Sequence, residues 1–294
     1  MAKSIGEGFS TFLSWLQPLK SEHDKAASHK GSVQSSLENG YECSRFFETG
    51  SFGNGTGVRH HSDTDYFAVI PAKNLKVNSA TSLREVKETV AATFSTTTGI
   101  AVNCPAVKIP FGTYASENLE ITPAYFTGMV EHDGKKFNNY NIPDCEGGWM
   151  ASSPGAHNHY VQKIDDGLSN EAKQLIRLVK AWKYYNNVPI TSFFLELYVA
   201  RYCASEQSII YYIDLARIFD KLEKDSLPGM NDPVGISGRI KPCKTDAQHT
   251  DALSKVKTAA GRATRAMAQV QEGKLDEAFE TYDLLFNYNF PARS

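Results

Sequence analysis

One stretch limits the possible folds of this chain more than any other: Gly50-Ser51-Phe52-Gly53-Asn54-Gly55-Thr56-Gly57-Val58-Arg59-His60-His61-Ser62-Asp63-Thr64-Asp65. It runs into Tyr66-Phe67-Ala68-Val69-Ile70, whose aromatic and β-branched residues read as a buried strand. Positions two apart on a strand share a face, so Asp63 and Asp65 are predicted to project together at its mouth. Carboxylates that close repel unless a cation lies between them or one takes a proton. Hard divalent ions with oxygen ligands, Mg²⁺ above all, suit the pair. Gly50, Gly53, Gly55 and Gly57 let backbone N–H groups turn inward on an anion, and Ser51 adds a hydroxyl. A phosphate cradle ahead of a metal-binding pair points to a nucleoside triphosphate with Mg²⁺. The plain alternative is a glycine-rich hairpin followed by a solvated Asp pair.

The chain has 294 residues, enough for one large domain or two lobes. Hydrophobic residues make up 41% and charged residues 22%, the balance of an ordinary soluble protein. A net charge of −2 gives no global signal for nucleic acid. No apolar run is long enough to cross a bilayer. The N-terminal residues, with Glu7 and Gln17, do not form a signal-peptide core, so the cytoplasm is the expected compartment. Cys43, Cys104, Cys145, Cys203 and Cys243 are scattered and form no Cys-x-x-Cys unit. They are expected to be reduced, mostly buried thiols, with no structural zinc. His60, His61, His157 and His159 are expected in loops.

Ile5, Phe9, Phe12, Leu13 and Leu16 follow helical spacing, with Pro18 as a stop. A second helix is predicted over about 22–44, then a short strand Phe46-Phe47-Glu48-Thr49 leading into the glycine turn. Ser82-Leu83-Arg84-Glu85 reads as a capping box opening an amphipathic helix. Val107, Ile109 and Phe111 predict a strand. So do Leu119 and Ile121, with Glu120 on the opposite face. Residues 128–158 read as irregular structure. Beyond them helices dominate, with Ser169 as an expected N-cap and closing helices over about 246–272 and 275–288.

Gly50-Ser51, Gly55-Thr56 and Ser62-Asp63-Thr64-Asp65 together resemble the signature of polymerase-β-like nucleotidyltransferases. More narrowly, the chain resembles the CD-NTases, bacterial relatives of cyclic GMP-AMP synthase and oligoadenylate synthase. Glu120-Ile121-Thr122-Pro123-Ala124 is similar to the family's strand carrying the third metal ligand, usually Asp. The segment Leu175 to Trp182 resembles the helix whose lysine holds the donor triphosphate, which makes Lys180 that lysine. Thr191 to Leu197 resembles the segment whose serine, here Ser192, also reaches the triphosphate; Phe193 takes the place of a base-stacking residue. Met230-Asn231-Asp232-Pro233-Val234 resembles a late Asp-Pro element of the family.

The resemblance implies an α+β fold. A mixed twisted sheet with N-terminal helices would fill residues 1–160, and a helical lobe would fill 161–294, with the active site in the cleft between. It implies two-metal phosphoryl transfer with two Mg²⁺ ions (Mn²⁺ as a substitute) held by Asp63, Asp65 and Glu120. Gly50, Ser51, Lys180, Ser192 and Phe193 would bind the nucleotide. The product would be a cyclic oligonucleotide, a dinucleotide in the first instance, acting as a second messenger in antiphage defence. The implied partners are NTP substrates and a product-sensing effector protein, with no obligatory nucleic acid, no membrane and a monomeric state. Two other readings are a synthase of linear oligonucleotides, or an enzyme tagging another acceptor, and a non-catalytic nucleotide-binding protein.

Overall fold

The computed structural model describes residues 3–19, 24, 28–61, 64–112 and 117–293. The chain opens with α1 (Ile5–Leu16) and α2 (Lys30–Tyr41). Ser4 caps α1 by accepting from the Glu7 N–H at 3.2 Å. Residues 20–23 and 25–27 of the predicted second helix lie outside the described residues, and Glu42 in the left-handed region ends the helix at φ 55°. Next come β1 (Arg45–Thr49), the single turn α3 (Gly50–Gly53), β2 (Thr64–Val69) and α4 (Ser79–Thr93). The helix α4 starts a turn earlier than the expected capping box: Asn78 is its N-cap, accepting from the Thr81 N–H at 3.1 Å. Ser82 instead accepts from the Lys76 N–H.

The sheet continues with β3 (Ala101–Asn103), β4 (Ala106–Phe111), β5 (Glu117–His132), β6 (Lys135–Pro143) and β7 (Trp149–Ser152). Its order is β1-β2-β5-β4-β3, with β6 and β7 added along the second half of β5. β2 and β5 run parallel, and the other pairs are antiparallel. Strand β2 is buried on both faces. Tyr66, Ala68 and Ile70 pack with Leu83, Val86 and Val90 of α4, while Phe67 and Val69 pack with Ala124, Tyr140 and Ile142.

The expectation of irregular structure over 128–158 is corrected. Most of it is β5, β6 and β7, followed by α5 (Pro154–Gly167). Gly134, Pro143, Gly147 and Gly148, which suggest loops, lie in and between paired strands. Asn141 Nδ2 donates across the ladder to the Tyr125 hydroxyl at 2.8 Å, and Asn139 Nδ2 to Thr127 Oγ1 at 3.0 Å. Such cross-strand bonds stabilise a sheet without apolar alternation. His157 and His159 therefore lie on a helix and not in a loop.

The cysteine expectation is corrected too. Cys104 and Cys145 form a disulfide with Cα atoms 5.6 Å apart, while Cys43, Cys203 and Cys243 are free and buried. The two partners are 41 residues apart in sequence. One lies in the β3–β4 turn and the other between β6 and β7, so only the sheet topology brings them together.

The second half is helical: α6 (Ala172–Tyr185), α7 (Ser192–Cys203), α8 (Tyr211–Lys224), α9 (Asp246–Gln271) and α10 (Leu275–Leu285), with the small hairpin β8 (Met230–Asn231) and β9 (Arg239–Ile240). Ser169 is not the cap of α6; it sits at φ 55°, and Glu171 holds the N-cap position. The apolar faces of α6 to α10 share one core, in which Trp182 meets Phe219 edge-on at 4.7 Å between ring centroids. Helix α1 joins this core. Phe9 packs edge-on against Tyr282, and Phe12 lies 4.7 Å from Phe286. Among the described residues no helix is long and apolar enough to cross a membrane.

Candidate active site

The glycine turn and the carboxylate strand meet at one contact. Gly50 has φ +66°, and a Cβ there would lie 2.0 Å from Asp65 Oδ2. Only glycine lets the backbone approach the carboxylate this closely. Asp65 is the register partner of Thr49 on β1 and of Glu120 on β5. Neighbouring strands are about 4.8 Å apart, and register partners share a face, so Asp65 and Glu120 stand side by side. They share the face of Phe67, Val69 and Ala124. Glu120 is in turn the register partner of Lys108 on β4. Asn103 Nδ2 donates to Glu120 Oε1 at 3.0 Å, which orients the carboxylate from the sheet edge. Neither Lys108 nor Asn103 stands out in the sequence, because only strand pairing brings them to Glu120.

Ser62 and Asp63 lie outside the described residues. Among the described residues no group of three His, Cys, Asp or Glu could hold a metal ion. Asp65 and Glu120 nevertheless supply the hard oxygen donors a divalent cation takes, and two adjacent carboxylates call for positive charge between them. The chemistry of Asp65 and Glu120 fits such an ion.

In the helical lobe, Ser192 opens α7, where Thr191 caps the helix by accepting from the Phe194 N–H. Lys183 Nζ donates to Ser192 Oγ at 2.7 Å, and the Tyr184 hydroxyl lies 3.0 Å from the same oxygen. A cation and a hydroxyl at a helix N-terminus suit an anion. His61 stacks on Tyr184 at 5.0 Å and 9°. Burial lowers the pKa of His61, and the charges of His60 and Lys183 add to this. Phe193 is 40% exposed and meets His157 edge-on at 5.1 Å. His157 Nε2 lies 3.0 Å from Asp232 Oδ2 in a buried pair.

Lys180 lies buried between the helical lobe and the glycine turn. Its side chain is 1% exposed, and its ammonium bonds Glu196 Oε2 at 3.0 Å and Thr56 Oγ1 at 3.1 Å. The lysine beside Ser192 is Lys183, one helical turn later on α6.

A strand-borne carboxylate packed on a glycine turn, with a second carboxylate in register on a parallel strand, belongs to the polymerase-β-like nucleotidyltransferase fold. Residues 4–165 match the family described as Second Messenger Oligonucleotide or Dinucleotide Synthetase domain. The chain belongs to that family, the CD-NTases. Solved structures agree in fold. CdnC of E. coli MS115-1 in complex with HORMA-deltaN superposes with a TM-score of 0.71 at 15% identity, covering 97% of this chain and 98% of that one. Escherichia coli DncV in a 3′-deoxy GTP bound form gives 0.70 at 15% identity, over 94% and 93%. Bradyrhizobium diazoefficiens CdnG in complex with GTP gives 0.68 at 13% identity, over 98% of both chains. No curated protein matches.

Proposed function

We propose that this nucleotidyltransferase joins NTPs into a cyclic oligonucleotide, a dinucleotide in the first instance, releasing pyrophosphate at each step. The observation that carries the reading is the contact of Gly50 with Asp65, with Glu120 in register beside it. It supports the reading by bringing the glycine turn against one of two carboxylates in register. Asp63, Asp65 and Glu120 would hold two Mg²⁺ ions, and the bound metal would lower the pKa of a ribose hydroxyl and neutralise charge at the transferred phosphoryl group. The remaining work is positioning. Gly50 and Ser51 offer donors to the triphosphate. Lys180 and Ser192 would meet its outer phosphates from the helical lobe, with Lys183 holding the Ser192 hydroxyl. Phe193 offers an exposed ring for a base. We divide the chain into a nucleotidyltransferase core over 1–160 and a helical lobe over 161–294. We place it in the cytoplasm as a monomer, its product read by an effector protein in antiphage defence.

The test is incubation with four labelled NTPs and Mg²⁺ or Mn²⁺, then phosphatase and mass spectrometry. The expected product resists phosphatase because a closed ring has no terminal phosphate. Phosphatase-sensitive oligomers would indicate a linear synthase instead. The Asp63→Asn, Asp65→Asn double variant is expected to release no pyrophosphate while melting like the wild type. Normal turnover by that variant would remove the proposed site.

A further inference from the structure

A short segment of the helical lobe reaches the Glu120 side of the sheet. It joins β9 to α9, with Pro242 and Cys243 buried and Lys244 exposed. Lys244 Nζ donates to Cys104 O at 2.8 Å and to Asn103 Oδ1 at 3.4 Å. The other end of that amide, Asn103 Nδ2, donates to Glu120 Oε1 at 3.0 Å. Lys241 Nζ lies 3.5 Å from Glu146 Oε1, beside the disulfide partner Cys145. Pro242 O accepts from the Thr191 N–H at 2.8 Å, at the N-cap of α7 that Ser192 follows. The segment 241–244 therefore touches both the N-cap of α7 and the amide beside Glu120.

A carboxamide can present either end to a neighbour, and a cation at its oxygen fixes which end donates. The Lys244 charge holds the Asn103 oxygen, so the amide N–H faces Glu120. It also polarises that N–H into a stronger donor. A metal-binding carboxylate is oriented by the hydrogen bonds it accepts from outside the metal site, and such partners tune metal affinity. We propose that Asn103 and Lys244 are positioning residues for Glu120, with Lys244 acting through Asn103, so that a loop of the helical lobe sets the geometry of a carboxylate on the sheet. This rests on the nucleotidyl-transfer reading above.

The test compares Asn103→Ala, Lys244→Met, Lys244→Arg and the double variant Asn103→Ala, Lys244→Met. Mn²⁺ binding is read by electron paramagnetic resonance with a non-hydrolysable NTP analogue present, alongside kcat and KM for NTP. Asn103→Ala should weaken Mn²⁺ binding and lower kcat, each by about tenfold. Lys244→Met keeps the bond to Glu120 without its polarising cation and should lose about threefold in both. Lys244→Arg should stay within about twofold of the wild type, since a guanidinium can donate to both oxygens. The double variant should match Asn103→Ala to within about twofold, because Lys244 acts through the amide. KM for NTP should move by no more than about twofold in any variant. Both side chains are exposed, so melting should stay near that of the wild type. Losses that multiply in the double variant would overturn the relay. Unchanged Mn²⁺ binding in Asn103→Ala would overturn the positioning of Glu120. A wild type that binds Mn²⁺ but releases no pyrophosphate from any NTP refutes the activity reading alone, and the binding comparison still decides the relay.

Discussion

Gly50 is the residue where conformation and site chemistry coincide. A side chain there would be strained by the positive φ and would strike Asp65 Oδ2. Gly50→Ala should lose about 1–3 kcal/mol of stability from the backbone term and the forced shift of its neighbour. The displaced carboxylate should lower turnover by roughly a hundredfold or more. Pyrophosphate release together with a thermal melt checks both, and a variant with wild-type turnover would show that the contact is incidental. Glu120 poses a different question, since the family's usual ligand there is Asp. Glu120→Gln should be nearly inactive, because an amide brings no negative charge beside Asp65. Glu120→Asp should retain turnover at a reduced level, its shorter side chain retreating from Asn103 Nδ2, now 3.0 Å away. NTP affinity should survive in both variants. Full activity in Glu120→Gln would make the residue a bystander.

At the scale of elements, the start of α7 carries Ser192 and Phe193, and a loop around Asp232 braces it. Asp232 accepts from the Val234, Ile236 and Ser237 N–H groups at 3.0, 2.9 and 2.7 Å and pairs with His157, which packs edge-on against Phe193. Burial acts to raise the Asp232 pKa, but the His157 ring and the backbone donors outweigh it and hold the group far below the carboxylate range. A carboxyl depressed by folding stabilises the protein above its unfolded pKa, about 3.9, and loses that contribution as pH falls through and below this value. Asp232→Asn should therefore flatten the acid limb of a plot of melting temperature against pH between about pH 5 and pH 2. It should also cost about 1–3 kcal/mol at neutral pH from unmatched donors. An acid limb as steep as that of the wild type would assign the acid sensitivity to other carboxylates.

At the scale of the whole molecule, the Cys104–Cys145 bond ties the β3–β4 turn to the β6–β7 end of the sheet. For a sequence separation of 41 residues, the loss of chain entropy in the unfolded state gives up to about 4 kcal/mol of stabilisation. Reductant should lower the melting temperature of the wild type by about 5–10 °C and leave a Cys104→Ser, Cys145→Ser variant unmoved. Asn103, beside Cys104, orients Glu120, so the same comparison of turnover reports how far the bond supports the site. Melting that is indifferent to reductant in both proteins would mean the bond does not form in solution. The N-terminal helix is another long-range feature: α1 is the first element of the chain, yet it packs beside α10, the last helix among the described residues.

The sequence by itself determined what depends on neighbours along the chain. The spacing of Ile5, Phe9, Phe12, Leu13 and Leu16 specified α1, and the run Tyr66 to Ile70 specified β2, because helical and strand periodicities are local. The glycine turn and Asp65 were legible for the same reason: they lie within one short stretch. The tertiary structure alone decided which distant groups meet. Glu120 comes beside Asp65 through parallel pairing, and Asn103 reaches Glu120 from another strand. Lys180 finds its partners Thr56 and Glu196 at separations of 124 and 16 residues. The β5–β7 ladder was hidden because asparagine and tyrosine side chains stabilise it across strands and leave no apolar alternation. A motif names the residue types in a site, but a buried ammonium goes to the carboxylate that the packing of α6 against α7 brings within reach. Periodicity along one helix carries no record of that carboxylate.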